Sequence, residues 1–269
     1  MTQLLNIDAN AKTIKGQKHG YMTAVMYLAP YKTSGINVCP FAELAGCWKT
    51  CLNTAGRGGM AKGNSTFITN GITLPDNAIQ RARIWRTQLW STDRSEFFAK
   101  LINEINAFIR KAKRKGLTPV VRLNGTSDIQ WERERVVALG PNGKVNRYSI
   151  FELFPNIQFY DYTKIPKRLS TELPSNYHLT LSYSAASSKY QTLCDKVTKS
   201  LSTNVVYVAK DKVIKQEFLN AGFSDMDEHD LRFLDPPGTH GVLKAKGQAR
   251  NETNGFVLTK IPKERSNDI

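Results

Sequence analysis

Three cysteines fall within thirteen residues, in the run Cys39-Pro40-Phe41-Ala42-Glu43-Leu44-Ala45-Gly46-Cys47-Trp48-Lys49-Thr50-Cys51, a C-x7-C-x3-C spacing. Thiolates are the ligands of iron–sulfur clusters, and three so placed can hold three corners of a [4Fe-4S] cubane while the fourth iron stays open to a small molecule. Zinc is the rival metal. Structural zinc sites present paired C-x2-4-C knuckles and four ligands, whereas only Cys47 and Cys51 are so closely spaced; His19 or His178 would have to complete a Cys3His set. Three thiols without a metal are the plain alternative. The fourth cysteine, Cys194, lies in the helical run SSKYQTLCDKV and reads as a small core hydrophobe.

A second set of chemistry-bearing residues follows apolar runs. Asn124, Gly125, Thr126, Ser127 and Asp128 come after PVVRL, Lys164 follows FYDYT, Ser182 closes YHLTLS, and Asp230 and Lys246 lie in or after later runs. Ligands of parallel α/β folds bind beyond the carboxyl ends of strands, so these positions are candidate ligand contacts around the cysteine loop. Each also has an ordinary reading. Asn-Gly-Thr-Ser-Asp is turn and cap vocabulary, the two lysines could be solvated, and Asp230 could pair with Arg232 or a lysine.

The elements that would position these residues can be outlined. Residues 21–30 read as strand one, and glycines and prolines between Lys32 and Gly71 predict a long loop carrying the cysteines. A helix is expected from Pro75 to Trp90, and a second from Asp93, with Glu96 completing a capping box, to a stop at Gly116. Strands are expected at 119–125, 156–163, 177–184 and 203–210, with two more short runs, DLRFLD and HGVLKAKG, near 230–247. Strands alternating with crossovers predict an α/β fold, a partial or complete (β/α) TIM-like barrel with parallel strands; an open doubly wound sheet is the alternative. The expected organisation is an irregular N-terminal arm (1–20), one domain (21–259) and a polar tail (260–269).

With 38 Lys+Arg against 23 Asp+Glu, the formal charge of +15 favours anionic partners such as nucleic acid or nucleotides. The cations are dispersed except from Arg110 to Lys115, a run that reads as a solvated helix end. Trp85, Trp90 and Trp131, interleaved with Arg81, Arg83, Arg86 and Arg94, could clamp a strand of nucleic acid, although helix packing explains them more simply. No apolar run of about 18 residues occurs and the N-terminus has no apolar signal core, so no membrane partner is expected and the cytoplasm is the expected compartment.

The segments YLAP, NVCP, GC-x3-CL, AGRG, RLNGTSDI-x-WE, FYDYTK, NYHLT-x-S and DLRFLDP, spread over residues 21–257, resemble the phage gene product 88 family. That resemblance implies a viral protein made in the cytoplasm of a bacterial host. A second resemblance is architectural. In radical S-adenosylmethionine enzymes a three-cysteine loop after the first barrel strand holds a [4Fe-4S] cluster, and the second strand ends in a glycine-containing motif that meets S-adenosylmethionine. Cys39, Cys47 and Cys51 and the Asn124-Gly125-Thr126 turn are similarly placed. The spacing differs, since those enzymes mostly use C-x3-C-x2-C, and the Gly-Gly-Glu pattern is absent. Two functions therefore stand at this stage: a cluster protein, extending to an enzyme of radical S-adenosylmethionine type, and a basic nucleic-acid-binding phage protein in which zinc or a cluster staples the loop.

Overall fold

The computed structural model describes residues 2–8, 10–60, 66–69, 71–200 and 203–262. Most of the predicted polar tail, from 263 onward, lies outside the described residues. Eight strands form the main sheet: β1 (Leu5–Ile7), β2 (Tyr21–Met26), β3 (Thr118–Arg122), β4 (Gln158–Thr163), β5 (Tyr177–Ser182), β6 (Val205–Ala209), β7 (Ser224–Asp225) and β8 (His240–Lys244). Their spatial order is β1-β2-β3-β4-β5-β6-β8-β7; β1 runs antiparallel to β2 and every other pairing is parallel. The arm expected to be irregular thus supplies an edge strand. The outer strands β1 and β7 do not pair with one another, so the sheet is not a closed barrel.

Strands two to six follow one another in chain order because each apolar run is buried on both faces, as parallel strands covered by crossovers must be. The longest crossover contains helices α1 (Ala78–Thr92) and α2 (Arg94–Arg114). Asn77, not Pro75, caps α1 by accepting from the Gln80 amide, and Asp93 caps α2 by accepting from the Glu96 amide at 2.8 Å. Phe97, Phe98, Leu101, Ile105 and Phe108 lie along one stripe of α2 and pack on Met22, Met26, Val121 and Phe159 of the sheet. Burial stabilises each such side chain by about 1.5–3 kcal/mol. Helices α3 (Ser188–Ser200) and α4 (Lys212–Asn220) cover the other half of the same face, with Tyr190, Cys194 and Phe218 against Leu181, Tyr207 and Val242.

The opposite face is covered by a segment expected to be a strand. DLRFLD instead forms a 3-10 turn at Arg232–Leu234, which places Leu231 and Phe233 on Val120, Tyr160 and Tyr21. Its polar residues decide the conformation: Asp230 accepts from Arg122 at 2.6 Å and Arg232 pairs with Asp235 at 3.1 Å, partners that a strand pairing would not supply. The N-terminal arm reaches the same region. Lys12 Nζ donates to Met226 O at 2.9 Å and pairs with Asp227 at 2.9 Å, which links the arm beside β1 to the chain after β7.

Two small antiparallel hairpins were not anticipated. One (Thr66–Thr69 with Ile72–Pro75) follows the cysteine loop, and the other (Val136–Leu139 with Val145–Tyr148) lies between β3 and β4.

Candidate functional site

The cysteine loop leaves the carboxyl end of β2. Pro30 precedes a helical turn at Tyr31–Ser34, and the chain then crosses the end of β3, where the Asp128 amide donates to Val38 O at 2.7 Å. This places Cys39 Sγ 3.8 Å from Thr126 O. Cys47 opens a 3-10 turn at Cys47–Thr50 immediately after Gly46, whose φ of 69° is left-handed. A Cβ there would lie 2.5 Å from that of Ala186 and 2.8 Å from Asn254 Nδ2, so both conformation and space require glycine.

Side chains from the far side of the sheet hold the same turn by its carbonyls. Ser187 Oγ donates to Leu44 O at 3.0 Å, Ser184 Oγ to Ala45 O at 2.7 Å, and Asn254 Nδ2 to Gly46 O at 2.7 Å. Beyond Cys51, Asn53 Nδ2 donates to Gln80 Oε1 at 2.9 Å, and Arg83 donates to the Asn53 carbonyl, fixing the loop to α1. Arg83 and Arg86 are therefore buried structural groups rather than walls of a basic groove. Trp131 is likewise core, and Trp85 and Trp90 pack against that core, so helix packing accounts for the tryptophans.

The structure brings the three thiols into one electrostatic neighbourhood. None is in a disulfide, and all three are partly exposed, while Cys194 is buried against Tyr190. Burial pushes Cys39 well up from the ordinary thiol range, with the charges of Cys51, Asp128 and Cys47 adding to it. Burial also raises Cys47, opposed by the Lys164 ammonium, and raises Cys51 to about 11, opposed by an amide hydrogen bond at Asn53 and by Arg83. As they stand the thiols are protonated at neutral pH. Ligation requires thiolates, so a bound metal would displace their protons and supply the positive charge that burial withholds.

Thiols are the donor type that iron–sulfur clusters take, and the contacts of Cys39 and Cys47 to carbonyls are long, 3.8 Å and 3.7 Å. Among the described residues, no group of three or more His, Cys, Asp or Glu stands at metal-holding distance, so the thiols must draw together to share one group. Neither histidine considered for a Cys3His site is placed to complete it. His19 packs against His229 with ring centroids 4.7 Å apart, and His178 contacts Thr180, its pKa lowered to about 4 by burial and by Arg232.

The strand-end residues divide into two groups. Thr126, Asp128, Lys164 and Ser182 adjoin the thiols. Lys164 Nζ donates to Ser182 O at 2.8 Å and to Tyr183 O at 3.1 Å; burial lowers its pKa while Cys47, Cys194 and Asp128 oppose that shift. Two of its three N–H donors are thus used, and the ammonium also lies over the Phe256 ring, 4.5 Å from its centroid. Asp230 and Lys246 belong elsewhere: Asp230 pairs with Arg122, and Lys246 pairs with Asp227 at 3.1 Å, beside Lys12.

Most of the Asn124–Asp128 turn serves architecture. Asn124 Oδ1 accepts from Ser127 Oγ (2.8 Å), the Ile129 amide (3.0 Å) and Trp131 Nε1 (3.1 Å), while its Nδ2 donates to Ile129 O. Thr126 Oγ1 donates to Leu28 O at 2.6 Å. Gly125 is required by packing, since a Cβ would meet Met26 O at 2.6 Å. Asp128 accepts from Thr163 Oγ1 (2.9 Å), the Lys164 amide (2.6 Å) and Arg168 (2.7 Å). The organising residue missed from sequence is Arg168, fully buried in the short turn Pro166–Ser170 and also bound to both oxygens of Glu132. Its neighbours Lys167, Leu169 and Ser170 give no sign of this role.

No helix of the described residues is long and apolar enough to cross a membrane. No curated protein and no solved structure matches the chain, so the architectural likeness to radical S-adenosylmethionine enzymes finds no support there. The family model for Gene product 88 matches residues 3–260, nearly the whole chain with the cysteine loop and every strand of the sheet inside it, and the protein belongs to this phage family.

Proposed function

We propose that the protein is a phage iron–sulfur protein working in the host cytoplasm, with Cys39, Cys47 and Cys51 as the three protein ligands of a [4Fe-4S] cluster whose fourth iron binds a small molecule. The feature that supports this reading is three cysteines outside any disulfide on one loop that leaves the carboxyl end of a parallel strand, a loop whose carbonyls are held by Ser184, Ser187 and Asn254. The mostly parallel eight-stranded sheet is read as an incomplete (β/α) barrel. The cluster would supply electron transfer or Lewis acidity when bound. In this reading the Lys164 ammonium, electrostatically coupled to Cys47, would hold an anionic part of the small molecule, and S-adenosylmethionine is one candidate with a carboxylate.

Anaerobic purification with iron and acid-labile sulfide analysis tests the proposal. A brown protein with about four irons per chain, lost in the C39S/C47S/C51S variant, is expected; a colourless, iron-free preparation from cells assembling clusters refutes it. Reductive cleavage of S-adenosylmethionine to 5′-deoxyadenosine then separates an enzyme of that type from a cluster with another ligand.

A further inference from the structure

The hairpin of Val136–Leu139 and Val145–Tyr148 presents two unlike faces. In its register Val137 opposes Arg147 and Leu139 opposes Val145, so these four side chains share one face. The face is solvent-exposed, with Val137 67 %, Leu139 67 % and Val145 71 % accessible. The other face carries Val136, which packs against the main core and orients the ribbon. Arg135 extends the outward row by strand alternation.

Charge distinguishes this ribbon from an ordinary surface hairpin. Arg133, Arg135, Lys144 and Arg147 are all exposed. The two acidic residues at its base are neutralised from outside, Glu132 by Arg168 and Glu134 by Arg94. The nearest other carboxylate, Glu152, is 4.0 Å from Arg135 and itself exposed. Four cations thus flank an apolar strip, on a chain whose formal charge is +15.

We infer that this hairpin is a docking ribbon for duplex DNA, with its outward face in the major groove. A B-form major groove is about 12 Å wide and admits a two-stranded ribbon; arginines reach phosphates or guanine edges, and aliphatic side chains meet thymine methyl groups. A-form RNA closes its major groove to such an element. This inference is independent of the cluster.

The test is fluorescence-anisotropy titration of the full-length protein with a random 30-base-pair DNA duplex at 50–200 mM salt. R135A/R147A should bind at least about 10-fold more weakly at 50 mM salt, with a log–log salt slope shallower by about 1.8, the loss of two phosphate contacts. A K111A/K113A control on the end of α2 should bind like the wild type. Because Arg135 also donates to the Glu132 and Glu134 carbonyls at 2.8 and 3.1 Å, R147A alone is titrated beside the pair and should show about half of the change in slope with an unchanged circular dichroism spectrum. Protection of guanine N7 from dimethyl sulfate should accompany binding. Absence of DNA binding at 50 mM salt, equal binding by the hairpin variant, or lack of N7 protection would overturn the inference. Preference of the hairpin for polyglutamate over DNA would overturn it in favour of an acidic protein partner.

Discussion

Arg168 and Cys47 are both electrostatically coupled to Asp128, yet their surroundings differ completely. The guanidinium of Arg168 uses every N–H direction it has: Nε and one Nη2 proton on Glu132, the other Nη2 proton on Tyr177 at 3.0 Å, and Nη1 on Asp128 and on Thr163 at 3.3 Å. Cys47 has a 3.7 Å contact to Ala42 O, and its thiolate would be favoured only by the Lys164 charge and its own amide. A buried polar network with every partner present has the character of architecture, because nothing is left to bind. Partly exposed thiols with a lysine alongside and only long contacts to carbonyls are the part of the site that the proposed cluster would use. Of the residues that the sequence offers as ligand contacts, Asn124, Ser127 and Asp128 fall with the first kind, whereas Lys164 falls with the second.

This division can be broken most decisively at Arg168. Replacement by alanine leaves Asp128 and Glu132 as uncompensated buried carboxylates, which costs about 3–5 kcal/mol. Urea unfolding of R168A should show that loss; a change below about 1 kcal/mol would mean that the network is ornamental and that Asp128 is available to a ligand.

The other face of the sheet sharpens the comparison through a buried group with no countercharge. His178 lies near Arg232 and its pKa is lowered to about 4, below the 6.5 of an unfolded histidine. Between those two values the unfolded chain binds more protons, so stability increases with pH through this window and is lost as pH falls from 6.5 towards 4. The expected contribution is about 2 kcal/mol after allowance for partial exposure. The unfolding free energy of the wild type minus that of H178Q should therefore fall by about 2 kcal/mol as the pH is lowered from 7 to 4. A difference that stays constant with pH would show that His178 is already solvated.

Much of this arrangement is legible in the sequence, and the exceptions have physical causes. The runs PVVRL, QFYDYT, YHLTLS and VVYVA announce buried parallel strands because both of their faces are covered. DLRFLD resembles a strand since Leu231 and Phe233 alternate with polar residues, but a 3-10 turn also packs both against the sheet, and the pairing of Asp230 with the distant Arg122 and of Arg232 with Asp235 decides between them. The hairpin at 136–148 escapes notice because its strands carry arginines and exposed valines rather than a buried apolar face, although Gly140-Pro141-Asn142-Gly143 is ordinary turn vocabulary. Arg168 is invisible for the opposite reason. Its partners lie 36 and 40 positions away, and nothing local marks an arginine that will be buried. The cysteines stand out as candidate ligands by spacing alone, whereas the hold of Ser184, Ser187 and Asn254 on the carbonyls of Leu44, Ala45 and Gly46 depends on contacts across more than a hundred residues of chain.

The smallest effect expected is the one that isolates the thiols from the fold. Each of C39A, C47A and C51A removes a partly exposed sulfur with at most a long contact to a carbonyl, so the metal-free protein should lose about 1 kcal/mol or less per substitution. Neighbouring Gly46 should behave differently: G46A forces a Cβ onto Ala186 in a left-handed conformation and should cost at least about 1 kcal/mol in the same metal-free protein. If the cysteine variants unfold as easily as G46A, the thiols are part of the scaffold and the contrast with Arg168 fails. If they match the wild type when metal-free and differ from it only after reconstitution with iron and sulfide, whatever stability they confer comes from binding, since a metal held by the folded state alone adds its own affinity to the folding free energy.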